Sequence, residues 1–396
     1  MRLLHVVPTY LPATRYGGPI RSVHGLCAAL AACGHDVHVF TTNVDGPGDS
    51  AVPLGRPVAM DGVTVWYFPS DRLRRLFWSP PMAQALRRDI PGFDLVHLHS
   101  VFLWPTWAAA RAARRNGLPY VLSPRGMLVR DLVRRKSRWL KTTWIEMIER
   151  RTIEQASGIH LTSCLEADEL NAFGFRLPPV RVIANGIDVP IDAERAEELS
   201  PDIRQALDGG AYVLYLGRLS WKKGLDKLIC AAAAEPRLRL VIAGNDDERH
   251  LPQVHEWIAQ AGIAQRATVL ARFVTGADKA ALLAGAAVFA LPSVSENFGI
   301  AALEAMAAGC PVLTTEGVGL AAAIRDAGAG IVTESGEFGA AMGRLLDDPA
   351  LRTAMSENAR RVAVQRFGWA GIAEQMESFY NAVLPDSTIT RVAVVQ

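Results

Sequence analysis

Apolar residues in this chain fall into short compact runs, each closed by proline, glycine or a polar cluster. In the first half these are RLLHVV (2–7), DVHVFTT (36–42), VTVWYF (63–68), DLVHLH (94–99), PYVLSP (119–124), GIHLTS (158–163) and VRVIANGID (180–188). Apolar runs of this length between turn signals predict buried strands. Helical spacing separates the first two: apolar side chains at 23, 26, 27 and 30 precede Gly34, which takes a C-cap position. Strand, loop, helix and strand in that order predict a βαβ unit and a parallel sheet. The second half starts afresh with YVLYLG (212–217), LRLVIAG (238–244), ATVLARF (267–273), AVFAL (287–291), CPVLTT (310–315) and GIVTE (330–334). Helical segments at 224–234, about 250–262 and 277–285 alternate with them, so a second doubly wound α/β domain is predicted. The stretch 190–201 is acidic and poor in apolar residues and reads as a linker. The predicted domains are 1–188 and 200–370, and two such domains with a cleft between them suit a nucleotide-containing ligand.

One stretch stands out, PSVSENFGIAALEAMAAGCP at 292–311. A polar turn at 293–295 leads into an alanine-rich segment of high helix propensity, closed by Gly309 and Pro311. Glu296 and Glu304 stand eight positions apart. Were all eight steps helical, the pair would span ~12 Å, a spacing for an extended ligand held at two points. Two solvated helix charges explain the pair equally simply.

Length predicts two or three domains, and a half-hydrophobic composition gives each a sizeable core. No run of eighteen apolar residues predicts a transmembrane helix, and the apolar start MRLLHVV is too short for a signal-peptide core. Five cysteines at 27, 33, 164, 230 and 310 follow no metal-ligand or disulfide spacing, so the expectation is a reduced, cytoplasmic protein. Charge is uneven: residues 1–190 carry +8 and residues 191–396 carry −6. The balance points to an anionic partner for the first half, or to an unevenly solvated surface. The most basic stretch, 125–151, mixes nine Lys and Arg with Trp139, Trp144 and aliphatic residues. It fits either a peripheral contact with anionic membrane or a surface helix packed on its own domain. No nucleic-acid motif accompanies the charge.

Several residues could carry chemistry. Gly17 and Gly18 precede the first helix, where backbone N–H groups can approach an anion or simply make a tight turn. His97 and His99 alternate on one strand; His99, at the strand end where ligands gather in open α/β sheets, is the candidate, and His97 reads as packing. Arg125 lies in the polar loop after the PYVLSP strand. Arg218 and Lys223 occupy the loop after the first strand of the second domain, a place to neutralise phosphate without a metal ion.

With these residues in view the sequence resembles the retaining glycosyltransferases of family 4, the group 1 transferases of GT-B fold. The likeness runs through the Gly17-Gly18 loop, GHDVHVFTT, DLVHLHS, NGID, LGR with KKG, and above all the block from 292 to 319. It implies two Rossmann-like domains with parallel sheets facing across a cleft, a last helix at 371–384 crossing back onto the N-terminal domain, and a tail at 385–396. It also implies transfer of a hexosyl unit from a UDP- or GDP-sugar to a glycan or lipid-linked acceptor in surface polysaccharide or glycolipid synthesis, with no cofactor and no metal. Glu296 would contact the donor sugar, Glu304 the ribose diol, Arg218 and Lys223 the diphosphate. The backbone at Asn297, Phe298 and Gly299 would hold the sugar and phosphate, and the region from Arg272 to Val274 the base. Two departures matter. Arg125 stands where many members have a His that reaches the donor sugar, and LAAAI (320–324) stands where the family often has a Glu. A nucleotide-sugar epimerase and a non-catalytic nucleotide-sugar-binding or scaffold protein are the competing readings.

Overall fold

The computed structural model describes residues 1–13, 15, 17–130, 142–188 and 199–385. The chain divides into two compact units, one of residues 1–186 and 369–396 and one of residues 187–368.

Among the described residues ten strands build the first unit: β1 (Arg2–Val6), β2 (Asp36–Thr42), β3 (Val44–Asp45), β4 (Gly48–Asp49), β5 (Pro57–Met60), β6 (Val63–Phe68), β7 (Leu95–His99), β8 (Tyr120–Ser123), β9 (Gly158–Leu161) and β10 (Val180–Val182). Eight form one sheet in the order β10-β9-β8-β7-β1-β2-β6-β5, while β3 and β4 make a separate ribbon. Every pairing in the large sheet is parallel except β5 with β6, a hairpin whose two loop residues, Asp61 and Gly62, both have positive φ. Asp-Gly is the pair that such a turn selects. The central strands are covered on both faces, hence their almost unbroken apolar sequences. Leu4, Val6, Val96, Leu98 and Leu122 pack on one face, beneath the helices Pro80–Asp89 and Trp104–Arg115. Leu3, Val37, Leu95 and Val121 pack on the other, beneath Gly18–Ala32 and Trp369–Val383. The Trp369 indole lies so close to Gly25 and Gly186 that a Cβ at either would fall 2.2 or 2.3 Å from it.

The second unit holds β11 (Tyr212–Leu216), β12 (Arg239–Ala243), β13 (Ala267–Leu270), β14 (Val288–Leu291), β15 (Val312–Thr314) and β16 (Gly330–Val332). They form one all-parallel sheet in the order β13-β12-β11-β14-β15-β16. The strand and helix alternation expected from the sequence is therefore present in both units. Three differences stand out. The strand expected over 180–188 covers only Val180–Val182. The helix within 292–311 starts at Ile300 and ends at Ala307, so Glu296 lies outside it and the all-helical spacing of the two carboxylates does not hold. Two helices that the strand pattern did not announce, Phe338–Asp347 and Pro349–Phe367, complete this unit.

Among the described residues no helix is long and apolar enough to cross a membrane. Much of the basic stretch, residues 131–141, and most of the expected linker lie outside the described residues. Beyond it, Arg150 is held by Glu146 at 2.7 Å and Glu154 at 3.1 Å and stacks over Phe175, so its charge is matched locally.

Candidate functional site

In each sheet the strand order reverses at one point, and the crevice at the carboxyl ends of the two strands there is where open α/β sheets place ligands. In the second unit that point lies between β11 and β14. The loop after β11 carries Arg218 and Lys223, and the loop after β14 carries Glu296, Asn297, Phe298 and Gly299. Topology alone thus collects the residues that the sequence singled out.

The two loops are locked together by backbone contacts. Lys223 ends a single 3-10 turn, Trp221–Lys223, and Gly224 follows with φ 64°. A Cβ at Gly224 would lie 2.3 Å from the Pro292 carbonyl oxygen, so only glycine permits this approach. Val294 N–H donates to the Lys222 carbonyl at 2.9 Å. The Lys223 ammonium is ion-paired with Glu296, and both side chains are largely shielded. Burial, then the charge of Arg218, lowers the Lys222 ammonium pKa, the mark of a loop crowded with cations. Arg218 itself is exposed.

Glu296 is fixed through its backbone. Its N–H donates to Gly317 O at 2.8 Å and its carbonyl accepts from Gly319 N–H at 2.9 Å, a bridge around Val318. Gly299 adopts φ 98° and opens the helix Ile300–Ala307. Phe298 is buried and meets Phe367 edge to face. Glu304, one turn into the helix, accepts from the Lys279 ammonium at 2.7 Å through Oε1. Lys279 comes from another helix, Gly276–Gly285, and no motif marks it.

Arg272 and Val274 are placed differently from the expectation of a base contact. Arg272 forks onto Asp202 at 2.8 and 2.9 Å and reaches Asp278 at 2.9 Å, while Val274 is buried. Both side chains are committed inside the unit, while Phe273 between them is exposed.

In the first unit the sheet reverses between β1 and β7. Gly17, with φ 77°, caps the helix that begins at Gly18 in the connection after β1. At the ends of β1, β7, β8 and β9 the side chains of His5, His97, His99, Ser123 and His160 are all fully or almost fully buried. His97, read from sequence as packing, bonds Tyr380 through Nδ1 at 2.6 Å and Ser123 through Nε2 at 2.7 Å. Ser123 Oγ also meets His160 Nδ1 at 2.7 Å, and His160 Nε2 donates to the Ile183 carbonyl at 2.9 Å. His99 Nε2 meets His5 Nδ1 at 3.0 Å, and Arg125 Nη2 donates to His99 Nδ1 at 3.3 Å. His99 is therefore enclosed behind Arg125, with both ring nitrogens engaged. Burial pushes the pKa of His5 and His160 down to about 3, with the Arg125 charge adding to it. Burial likewise holds His97 and His99 well below the ordinary range.

Comparison with known proteins bears on the family and the fold. Residues 17–186 match the glycosyl transferase 4-like domain and residues 197–362 match the glycosyl transferases group 1 family. Glycogen synthase of Mycobacterium tuberculosis is 30% identical, across 96% of this chain and 95% of its own. A D-inositol 3-phosphate glycosyltransferase of Paenarthrobacter aurescens is 27% identical, across 96% and 97%. Among solved structures, sucrose-phosphate synthase from Thermosynechococcus elongatus aligns with TM-score 0.74 at 21% identity, covering 97% of this chain and 99% of that one. Anabaena Alr3699/HepE in complex with UDP-glucose aligns with TM-score 0.73 at 20% identity, covering 96% and 100%. At these identities the structural likeness concerns the fold, which is the GT-B class expected from the sequence.

Proposed function

The chain belongs to the group 1 glycosyltransferases, and from that premise we propose that it moves a hexosyl unit from a UDP- or GDP-sugar to a hydroxyl of a glycan or lipid-linked acceptor, with retention at the anomeric carbon. One observation carries the reading: at the switch point of the second unit, Arg218 and Lys223 share the crevice edge with the Glu296 carboxylate, and Glu304 follows on the adjoining helix. Cations there suit a diphosphate, and carboxylates that accept hydrogen bonds suit the hydroxyls of sugar and ribose. Arg218 and Lys223 take the diphosphate in this reading, Glu296 the sugar hydroxyls and Glu304 the ribose diol. The backbone at Asn297, Phe298 and Gly299 borders the sugar and phosphate. UDP-glucose in the Anabaena structure supports this donor class.

The reaction breaks the bond between the anomeric carbon and the diphosphate oxygen and forms a bond from that carbon to the acceptor oxygen. The acceptor proton passes to the departing phosphate on the same face of the sugar. Lys223 and Arg218 stabilise the charge that grows on the leaving group, a preorganised electrostatic role. Lys223 has three N–H donors, so it can meet a phosphate oxygen while still bonded to Glu296.

A thermal-shift panel of UDP, GDP and their sugars tests the proposal. A nucleotide at a hundredfold its Kd stabilises the folded state by about 2.7 kcal/mol. One nucleotide series should raise the Tm of the wild-type chain and do so far less for Glu304→Ala. No response to any nucleoside diphosphate, or an unchanged response in Glu304→Ala, would overturn the donor assignment.

A further inference from the structure

Among the described candidate cations, Arg125 is the one that is shielded yet holds no carboxylate. It is only half-buried, yet its Nε is shielded from solvent and has no hydrogen-bond partner. Nη1 donates to Asn185 Oδ1 at 2.8 Å and Nη2 to His99 Nδ1 at 3.3 Å, both neutral acceptors. Among the described residues no carboxylate lies within ion-pair distance. Glu166 contributes a favourable field, but its oxygens take the Gly126 N–H at 2.6 Å and the Thr162 N–H at 2.8 Å. By contrast Lys223, Lys279 and Arg272 each hold a carboxylate. Burying a charge without a partner is unfavourable, and folded proteins generally pair it.

The neighbouring histidines sharpen the point. A guanidinium only donates, so His99 Nδ1 carries no proton and Nε2–H donates to His5 Nδ1. The His5 proton therefore sits on Nε2, which is buried without a partner. His5, His97 and His99 stand close enough together to ligate an ion. Their lone pairs are spent, however. His160 donates to Ile183 O, so Ser123 donates to His160, His97 donates to Ser123, and Tyr380 donates to the remaining His97 nitrogen. The cluster offers N–H groups and a positive charge, which select an anion over a metal cation.

Backbone strain gathers at the same edge. Arg125 has φ 57°, and in the loop after the adjacent strand β7 Ser100 has φ 76° and Phe102 φ 64°. Non-glycine residues held in this region cluster at functional sites.

We propose that Arg125 receives an anionic group, a carboxylate or phosphate, carried by the saccharide substrate of the first unit. The guanidinium has five N–H donors, and the two engaged here leave its fork able to meet two oxygens of such a group. The proposal rests on membership of the glycosyltransferase family and stands apart from the nucleotide assignment in the second unit.

Calorimetric titration of the full chain with D-glucose, D-glucuronate and D-glucose 6-phosphate, at matched ionic strength, varies only the group at C6. The acids should bind at least about thirtyfold more tightly than glucose, as expected for a charge pair, and their order separates carboxylate from phosphate. Arg125→Gln should abolish the preference, whereas Lys223→Ala should keep it and instead lose any UDP response. Should the Gln variant not fold, Arg125→Lys keeps the charge without the fork and should weaken the acids by about tenfold or more. Equal binding of acids and glucose, no binding of the acids, survival of the preference in Arg125→Gln or of its full size in Arg125→Lys, or its loss in Lys223→Ala would each overturn the proposal. A UDP response that fails while the acid preference holds would count against the donor assignment alone.

Discussion

Lowering the pH from 7.5 to 5.5 should unfold the first unit far more readily than its surface charges suggest. His5 and His160 have pKa values pushed down to about 3, first by burial and then by Arg125. In the unfolded chain each returns to about 6.5. The unfolded state therefore binds the protons first, and the stability held above pH 6.5 is lost as pH falls toward 3. At pH 5.5 each such histidine removes about 1.4 kcal/mol, and at pH 4.5 about 2.7 kcal/mol. His5 and His160 together thus remove about 2.7 kcal/mol at pH 5.5, and His97 and His99, held low by the same burial, act in the same direction. Total domain stability is commonly about 5–15 kcal/mol, so the loss is large.

Urea titrations followed by tryptophan fluorescence read this directly, because seven of the nine tryptophans lie in the first unit. The buried Glu149 carboxyl, whose pKa burial raises, opposes the histidines at the acid end. Comparing wild type with His160→Gln at the same two pH values cancels that effect. Glutamine keeps an N–H for the Ile183 carbonyl but takes up no proton. The variant should lose about 1.4 kcal/mol less than wild type between pH 7.5 and 5.5. Equal losses in the two proteins would show that His160 titrates normally and that the cluster is not neutral.

Two further outcomes follow from the second unit. Gly224→Ala forces a Cβ to within 2.3 Å of Pro292 O at a φ of 64°, so it should destabilise by about 2 kcal/mol and lower Tm by about 4–8 °C, read by calorimetry. Under the proposed donor assignment, Lys223→Met should reduce the transfer rate about a hundredfold, measured by release of the nucleoside diphosphate, and should also lower Tm because it leaves the shielded Glu296 carboxylate unpaired.

The strands were legible because parallel sheets covered on both faces demand near-continuous apolar runs, and YVLYL and LRLVIA have no other reading in a chain of this pattern. The helix before CPVLTT was legible in kind but not in extent. Gly299 at φ 98° delays its start past Glu296, and a single glycine in an alanine-rich stretch did not weigh enough against propensity. Trp104–Arg115 had a start signal in Pro105, yet its buried face is almost all alanine and gives little hydrophobic contrast. The histidine network could not be read at all. His97 meets Tyr380 across 283 positions, and no local pattern links a strand histidine to a distant helix. Asn185, in the NGID stretch, anchors Arg125 across 60 positions, again without a local pattern.

The two units manage their charges in opposite ways. In the second, Lys223 and Lys279 are already held by Glu296 and Glu304. A bare cationic loop would repel itself, and the carboxylates relieve that repulsion before any ligand arrives. Under the proposed donor assignment one exchange then serves both ends of the ligand. When phosphate oxygens share Lys223, Glu296 gives up part of its ion pair just as sugar hydroxyls become available to replace it. Little net charge is stranded at any stage, so the desolvation cost of assembling the complex stays small. In the first unit Arg125 has only neutral partners among the described residues, and neutral histidines and an asparagine side chain cannot cancel its field. Burial first, and that field after it, keep the surrounding imidazoles unprotonated, and the field falls at a strained edge of the sheet. An anion there would be bound by completing a charge pair, the cost of burying the cation having already been met in folding. Under the proposal for Arg125, the burial and charge that should make the first unit acid-sensitive would also favour substrates that bring a negative charge.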